Sequence, residues 1–186
     1  MTRHAMPTTV ANVGYRVDKK TERTKYFWLD GGSLYLYTIY MPTNLCLNVV
    51  AGNEGEPEAV LLRAVQIIEG EDLVWKLRDI KSKKSEDLAN GPGKIGQALG
   101  IDKEKMNGID LLRGPCRIVD GGIKDFEVGV SKRVNIDYAE EWIDKEWRFY
   151  IKNNSFVSKP PTEKAKEATK QEKAEKSRSK AKSKPS

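Results

Sequence analysis

Three tyrosines, Asn48 and Arg63 interrupt the apolar β-rich runs between Gly31 and Val65. Tyr35 and Tyr37 are two residues apart in Ser33–Tyr40, so in a strand they share one face, while Tyr40 has the opposite parity and stands where the chain must turn. Asn48 breaks the run Leu45–Val50, and Arg63 sits inside Ala59–Val65. A buried amide or guanidinium needs partners. Taken singly, Arg63 could pair with a core carboxylate and Asn48 could satisfy a bulge. Both on one segment, beside clustered phenols, predict a site that combines aromatic surface with an amide and a cation.

The elements that must hold these residues are legible around them. Ser33–Tyr40 and Leu45–Val50 are β-rich runs joined by a turn containing Pro42, Thr43 and Asn44, and Ala59–Val65 follows a loop of Gly, Asn, Glu and Pro, which predicts a three-strand meander. In Glu71–Ile80 acids lead, bases follow, and Leu73, Leu77 and Ile80 recur at helical spacing, with Trp75 as a packing anchor. Lys81–Ala89 reads as a polar loop. Asn90-Gly91-Pro92-Gly93-Lys94 opens a second helix, through Ile95, Ala98 and Leu99, that stops at Gly100. Its Gly-rich entrance with Lys94 alongside is a candidate phosphate site, although the spacing is not that of a nucleotide P-loop. Asp110–Val119 and Asp125–Val130 are strand or loop segments about Gly121-Gly122, and Trp147–Ile151 reads as a closing strand.

The 186 residues carry a net charge of +6, and its distribution is uneven. Lys159–Ser186 holds ten Lys or Arg against four Glu, the whole of the excess, with no aromatic or branched aliphatic residue. Such a segment cannot bury a core and is expected to be disordered, serving as a tether to phosphate backbones, as a nuclear address or simply as a solubilising terminus. The first 158 residues are electrically balanced, and about that length can bury roughly two-thirds of its surface. Cys46 and Cys116 have neither metal spacing nor disulfide density, which points to a reducing compartment. No run is long and apolar enough for a membrane helix or a signal peptide, so a soluble intracellular protein with no membrane partner is expected. The fold expected is α+β: a single domain over residues 1–158 with a curved, mainly antiparallel sheet and flanking helices, plus a disordered tail over 159–186.

Gly-Ser-Leu-Tyr-Leu-Tyr-Thr-Ile-Tyr, then Cys46-Leu47-Asn48-Val49, then Val60-Leu61-Leu62-Arg63-Ala64 resemble the alkyladenine (3-methyladenine) DNA glycosylase family. Asn90–Lys94, Gln97–Ile101, Ile136–Glu141 and Trp147–Ile151 resemble that family's landmarks in the same order, so the resemblance spans most of Tyr15–Ser158. It implies a base-excision hydrolase that acts as a monomer on double-stranded DNA with a damaged purine, without metal or cofactor, and by extension a nuclear location. It assigns Tyr37 to stack on a flipped base, Tyr40 to wedge into the gap, Asn48 to check the base edge, and Tyr35 to border the pocket. Arg63 and the backbone around Ile136 would help fix the attacking water, where Asn135 replaces a family glycine. Lys20, Arg23 and Lys25, in the basic run before Phe27-Trp28, and Lys94 would contact the DNA backbone.

Two departures stand at the start of the chain. Ala11-Asn12-Val13-Gly14-Tyr15-Arg16 resembles a family segment reading Ala-Ser-His-Ala-Tyr-Arg, which places Val13 where the family has a pocket histidine. The family's general base is a glutamate in Glu-x-Glu-Ala-Tyr, and counting back from Val13 reaches Thr2, whose hydroxyl is no base near neutral pH. The one histidine, His4, stands where the family has a tyrosine and reads as a surface residue. The expectation is either a copy that begins inside the motif or a diverged protein that binds damaged or distorted DNA without cutting; an RNA-binding accessory role is more distant.

Overall fold

The computed structural model describes residues 10–13, 19–39, 41–137 and 142–158, with the backbone alone for 10–13 and 41–43. Six strands form one antiparallel sheet: β1 (Val10–Val13), β2 (Leu34–Ile39), β3 (Met41–Val50), β4 (Ala59–Ala64), β5 (Val128–Ser131) and β6 (Arg148–Ile151). Their order is β2-β3-β4-β1-β6-β5. The meander β2–β4 forms as its alternation predicts, and β5–β6 is a hairpin with Val130 opposite Phe149. The strand unforeseen from sequence is β1, which inserts between β4 and β6 with Ala11 opposite both Leu62 and Phe149. Its four residues are too few for an alternation to register.

The turn expected at Pro42–Asn44 is instead part of β3. The ladder steps from Thr38 opposite Leu45 to Ile39 opposite Met41, so residues 42–44 loop out as a bulge. Asn44 in this bulge accepts a hydrogen bond from Gln97 Nε2 at 2.8 Å.

Strand parity separates the two faces of the meander. Leu34 and Leu36 on β2 and Leu45 and Leu47 on β3 point to one face, where they bury against Val74, Leu88, Ala89, Ile95 and Ala98. Those partners come from α1 (Glu71–Arg78), a 3-10 turn (Ser85–Leu88) and α2 (Pro92–Ala98). Trp75 packs against this core and donates Nε1 to Glu71 Oε1 at 3.0 Å. The third helix, α3 (Lys103–Met106), is capped by Asp102, whose side chain accepts from the backbone N–H groups of Glu104 and Lys105. After it, residues 107–111 cover the free edge of β2: Leu34 N donates to Ile109 O and Leu111 N to Gly32 O, each at 2.9 Å. The Asn107 amide completes the cover, accepting from Leu36 N at 2.9 Å and donating to Leu36 O at 3.3 Å. No helix among the described residues is long and apolar enough to cross a membrane.

Candidate functional site

The opposite face of the meander carries the residues of interest. Tyr35 pairs with Asn48 and Tyr37 with Cys46 across β2 and β3. The β3–β4 ladder ends at Asn48 opposite Leu61, and two residues beyond that pair the strands present Cys46 and Arg63 on this same face. The pattern is thus two rows, Tyr35–Asn48–Leu61 and Tyr37–Cys46–Arg63, back to back with the leucine core.

The near end of this face is sealed by aromatic packing. The 3-10 turn Lys25–Trp28 supplies Phe27, 1% exposed, whose ring meets Tyr35 edge-on at 5.1 Å. Tyr35 in turn lies 5.7 Å from Tyr37, the rings tilted by 35°. Tyr37 is half-buried, so the aromatic surface becomes accessible as it approaches Cys46 and Arg63. The Arg23 guanidinium lies 5.9 Å from the centre of the Tyr37 ring, placing a cation at the rim.

Asn48 is 5% exposed and its Nδ2 donates to Tyr35 O at 3.1 Å. The amide therefore commits its donor to a strand carbonyl and forms a rigid floor between the tyrosines and β4. Cys46 is fully buried; desolvation pushes its thiol up to about 11, against the opposing effects of a Tyr37 hydrogen bond and the Arg63 charge. It was not singled out from the sequence, although its spacing of two from Asn48 puts it on the same face. Arg63 is half-buried, and burial lowers the pKa of its guanidinium. Among the described residues no carboxylate pairs with it, so the core ion pair considered from sequence is not formed there.

A second group of cations adjoins Arg63. Arg63 Nη1 approaches Gly91, at the start of α2. Lys94, one turn further on, donates to Asn90 Oδ1 at 2.5 Å, and burial lowers its pKa while Asp87 opposes the shift. Arg148 on β6, 4% exposed, donates Nη2 to Ser158 O at 2.8 Å and feels the Arg63 charge. This buried arginine was missed, because one charge inside Trp147–Ile151 looks like any solvated strand position.

The remaining candidates are spread more widely. Lys20 is exposed, and Lys25 is engaged with Glu22 at 2.9 Å and lies over the Tyr26 ring. The Val13 backbone pairs with Val60, and its side chain lies outside the described residues, as does Tyr40 altogether. Ile136 is half-buried in the connection from β5 to β6 and follows Asn135, whose φ of 58° is left-handed. That conformation suits glycine, and asparagine is among the few other residues that adopt it, so the replacement can keep the backbone path. No group of three His, Cys, Asp or Glu able to hold a metal occurs among the described residues.

Comparison with known proteins places this geometry in context. The family model for methylpurine-DNA glycosylase (MPG) matches residues 10–155. A protein of Natranaerobius thermophilus named "Putative 3-methyladenine DNA glycosylase" is 45% identical over 148 residues, covering 76% of this chain and 71% of that protein. Proteins of the same name from Clostridium novyi, 45% identical, and Alkaliphilus oremlandii, 41% identical, each cover 76% of this chain and 72% of their own length. These organisms are bacteria and have no nucleus, which overturns the expected nuclear location and with it the nuclear-address reading of Lys159–Ser186.

Proposed function

This chain belongs to the methylpurine-DNA glycosylase family, and from that membership and the site geometry we propose that it is a DNA-repair hydrolase that removes alkylated or deaminated purines by cleaving the N-glycosidic bond. The observation that carries the reading is the alignment of Tyr35, Tyr37, Cys46, Asn48 and Arg63 on one sheet face, with a packed core behind them.

Drawing a base from the duplex stack costs a few kcal/mol, and stacking returns about 1–3 kcal/mol per base. Tyr37 offers that surface, braced from behind by Tyr35 and Phe27. Tyr40 fills the gap left in the duplex. Asn48, held by its bond to Tyr35 O, tests the edge of the base by bulk and by its remaining oxygen. Arg63, carrying a charge with no carboxylate partner among the described residues, attracts the phosphate beside the flipped nucleotide and orients water toward the sugar C1′, with the Ile136 backbone as a second contact. Val13 takes the place in the sequence where the family has a histidine, so that position offers the base no side-chain hydrogen bond. Lys20, Arg23, Lys25, Lys94 and the 159–186 segment follow the phosphate backbone. The domain doing this is residues 1–158.

A second reading has its own observation. Thr2 stands where the family's motif has its glutamate, and no described carboxylate is coupled to Arg63 or Cys46. Excision by the 186-residue polypeptide would then lack a positioned base and fall by roughly 10²–10⁴-fold, while binding persists. Single-turnover excision from duplexes bearing 3-methyladenine-like, hypoxanthine or etheno-adenine lesions separates the cases, run beside a chain whose first seven residues are replaced by a segment ending in Glu-Ala-Tyr. Slow excision restored by the replacement is expected, least slow for 3-methyladenine, a good leaving group. Equal rates in both chains would mean that another residue supplies the base. Lesion binding without abasic sites in either chain would make the protein a binder of damaged DNA.

A further inference from the structure

The connection between β5 and β6 is long for a hairpin, residues 132–147, yet its two legs are cross-linked. Near its base Lys132 Nζ meets Asp144 Oδ1 at 2.7 Å. Above that contact, Arg133 Nη2 donates to Trp142 O at 3.3 Å, and the Arg133 guanidinium lies 5.4 Å from the centre of the Trp147 ring. Trp147 stacks on Trp142 at 5.1 Å with 27° between the rings, and the Lys145 ammonium lies 5.8 Å from the outer Trp142 ring. The order is guanidinium, indole, indole, ammonium. Asn135 and Ile136 follow directly from the leg that this stack holds.

Exposed aromatics among cations can bind nucleic acid, but the charge here argues against it. Lys132, Arg133 and Lys145 are outnumbered by Asp137, Glu140, Glu141, Asp144 and Glu146 within the same connection, so it has no net pull on phosphate. The indole stack stiffens the second leg, and Lys132–Asp144, Arg133–Trp142 and Arg133–Trp147 tie the first leg to it, as in a brace. Connections of this length in a compact domain commonly carry function, and a backbone group that must hold one water cannot move by an ångström without loss.

We propose that Trp142, Trp147 and Arg133 are positioning residues that fix the Asn135–Ile136 backbone for the excision step; this rests on the reading above that the Ile136 backbone holds the attacking water. Trp147→Leu keeps apolar bulk and removes the stack, and Trp147→Phe restores an aromatic face. The expected result is single-turnover excision of a 3-methyladenine-like base slowed about 10²-fold in Trp147→Leu, with affinity for the lesion duplex changed less than about twofold, and most of the rate recovered in Trp147→Phe. Amide exchange should quicken in residues 133–137 of the slow variant and not in β2–β4. Where the melting temperature drops as well, the same comparison is made below both transitions, with Lys132→Asp/Asp144→Lys against each single variant as a second probe of the brace. An unchanged rate despite faster exchange at 133–137 would overturn the inference, as would a loss of affinity equal to the loss of rate. Arg63→Gln is run in parallel. If it too leaves excision unchanged, the pocket reading fails; if it abolishes excision while Trp147→Leu does not, only the brace fails.

Discussion

Tyr37 on β2 stands directly opposite Cys46 on β3, and the thiol between that phenol and Arg63 is fully buried. Burial holds the thiol neutral, with its pKa raised to about 11 from 9.0.

The first prediction follows from that shift. The folded state resists losing this proton, whereas the unfolded chain gives it up near its ordinary value, so the stability involved is present below about pH 9 and is lost as pH rises toward 11. Two pKa units correspond to about 2–3 kcal/mol at the alkaline end. Urea unfolding of the wild type between pH 8 and 11 should steepen relative to Cys46→Ala, which carries a pH-independent cavity cost. Parallel curves for the two proteins would show that the thiol titrates alike folded and unfolded.

The packing of α2 on β3 makes a second one. A Cβ at Gly96 would lie 2.9 Å from Leu45 Cβ and 3.1 Å from Leu45 O, neither of which can swing aside. Gly96→Ala should therefore cost about 1–3 kcal/mol through overpacking. At Gly121 the nearest atom would be 3.9 Å away, and Gly121→Ala should unfold at a denaturant concentration close to that of the wild type. Similar midpoints for all three proteins would mean that the helix sits further from the sheet.

Roles for the tyrosines can be separated by substrate form. Tyr40→Ala should weaken binding to a flippable lesion in duplex DNA by about 1–3 kcal/mol and affect single strands less, as a wedge needs a duplex to enter. Tyr37→Ala should cost a similar amount on both, because it removes the surface on which the base rests. Equal losses on both substrates for Tyr40→Ala would leave it without a wedge role.

Deleting Lys159–Ser186 removes the entire charge excess of the chain. Folding should be retained, and the fall of log affinity with log salt should become shallower, by about 0.9 for each phosphate of duplex DNA that the segment neutralises. A slope identical to that of the full chain would exclude the segment from the DNA interface.

Much of this site could be read from residue order, and the reason is periodicity. The meander announced itself because its strands alternate, and parity put Tyr35 and Tyr37 on one face with Asn48 and Arg63 on the same meander; that all four share the face follows from the strand register. Helices α1 and α2 were legible from acid-to-base polarity and from the Pro and Gly that bound them. What escaped is non-periodic or non-local. β1 is too short to alternate, α3 is one turn long, and the bulge at residues 42–44 brings Asn44 to Gln97, 53 positions away. Arg133 reaches Trp142 and Trp147 only once the two legs meet, which residue order does not disclose. Arg148 carries its meaning in burial against Ser158, which nothing in Trp147–Ile151 discloses.

The opposed faces of β3 have a genetic corollary. Leu45 and Leu47 feed the core while Cys46 and Asn48 face the site, so neighbouring codons answer to different demands. Point substitutions at Cys46 or Asn48 can retune the pocket while leaving every leucine in place. Loss or gain of a single codon between them would exchange the two sets, turning leucines toward substrate and an amide into the leucine layer. Within β3, drift in specificity is therefore open to base changes and closed to one-codon indels, whereas the loop at residues 52–58, outside both faces, can vary in length.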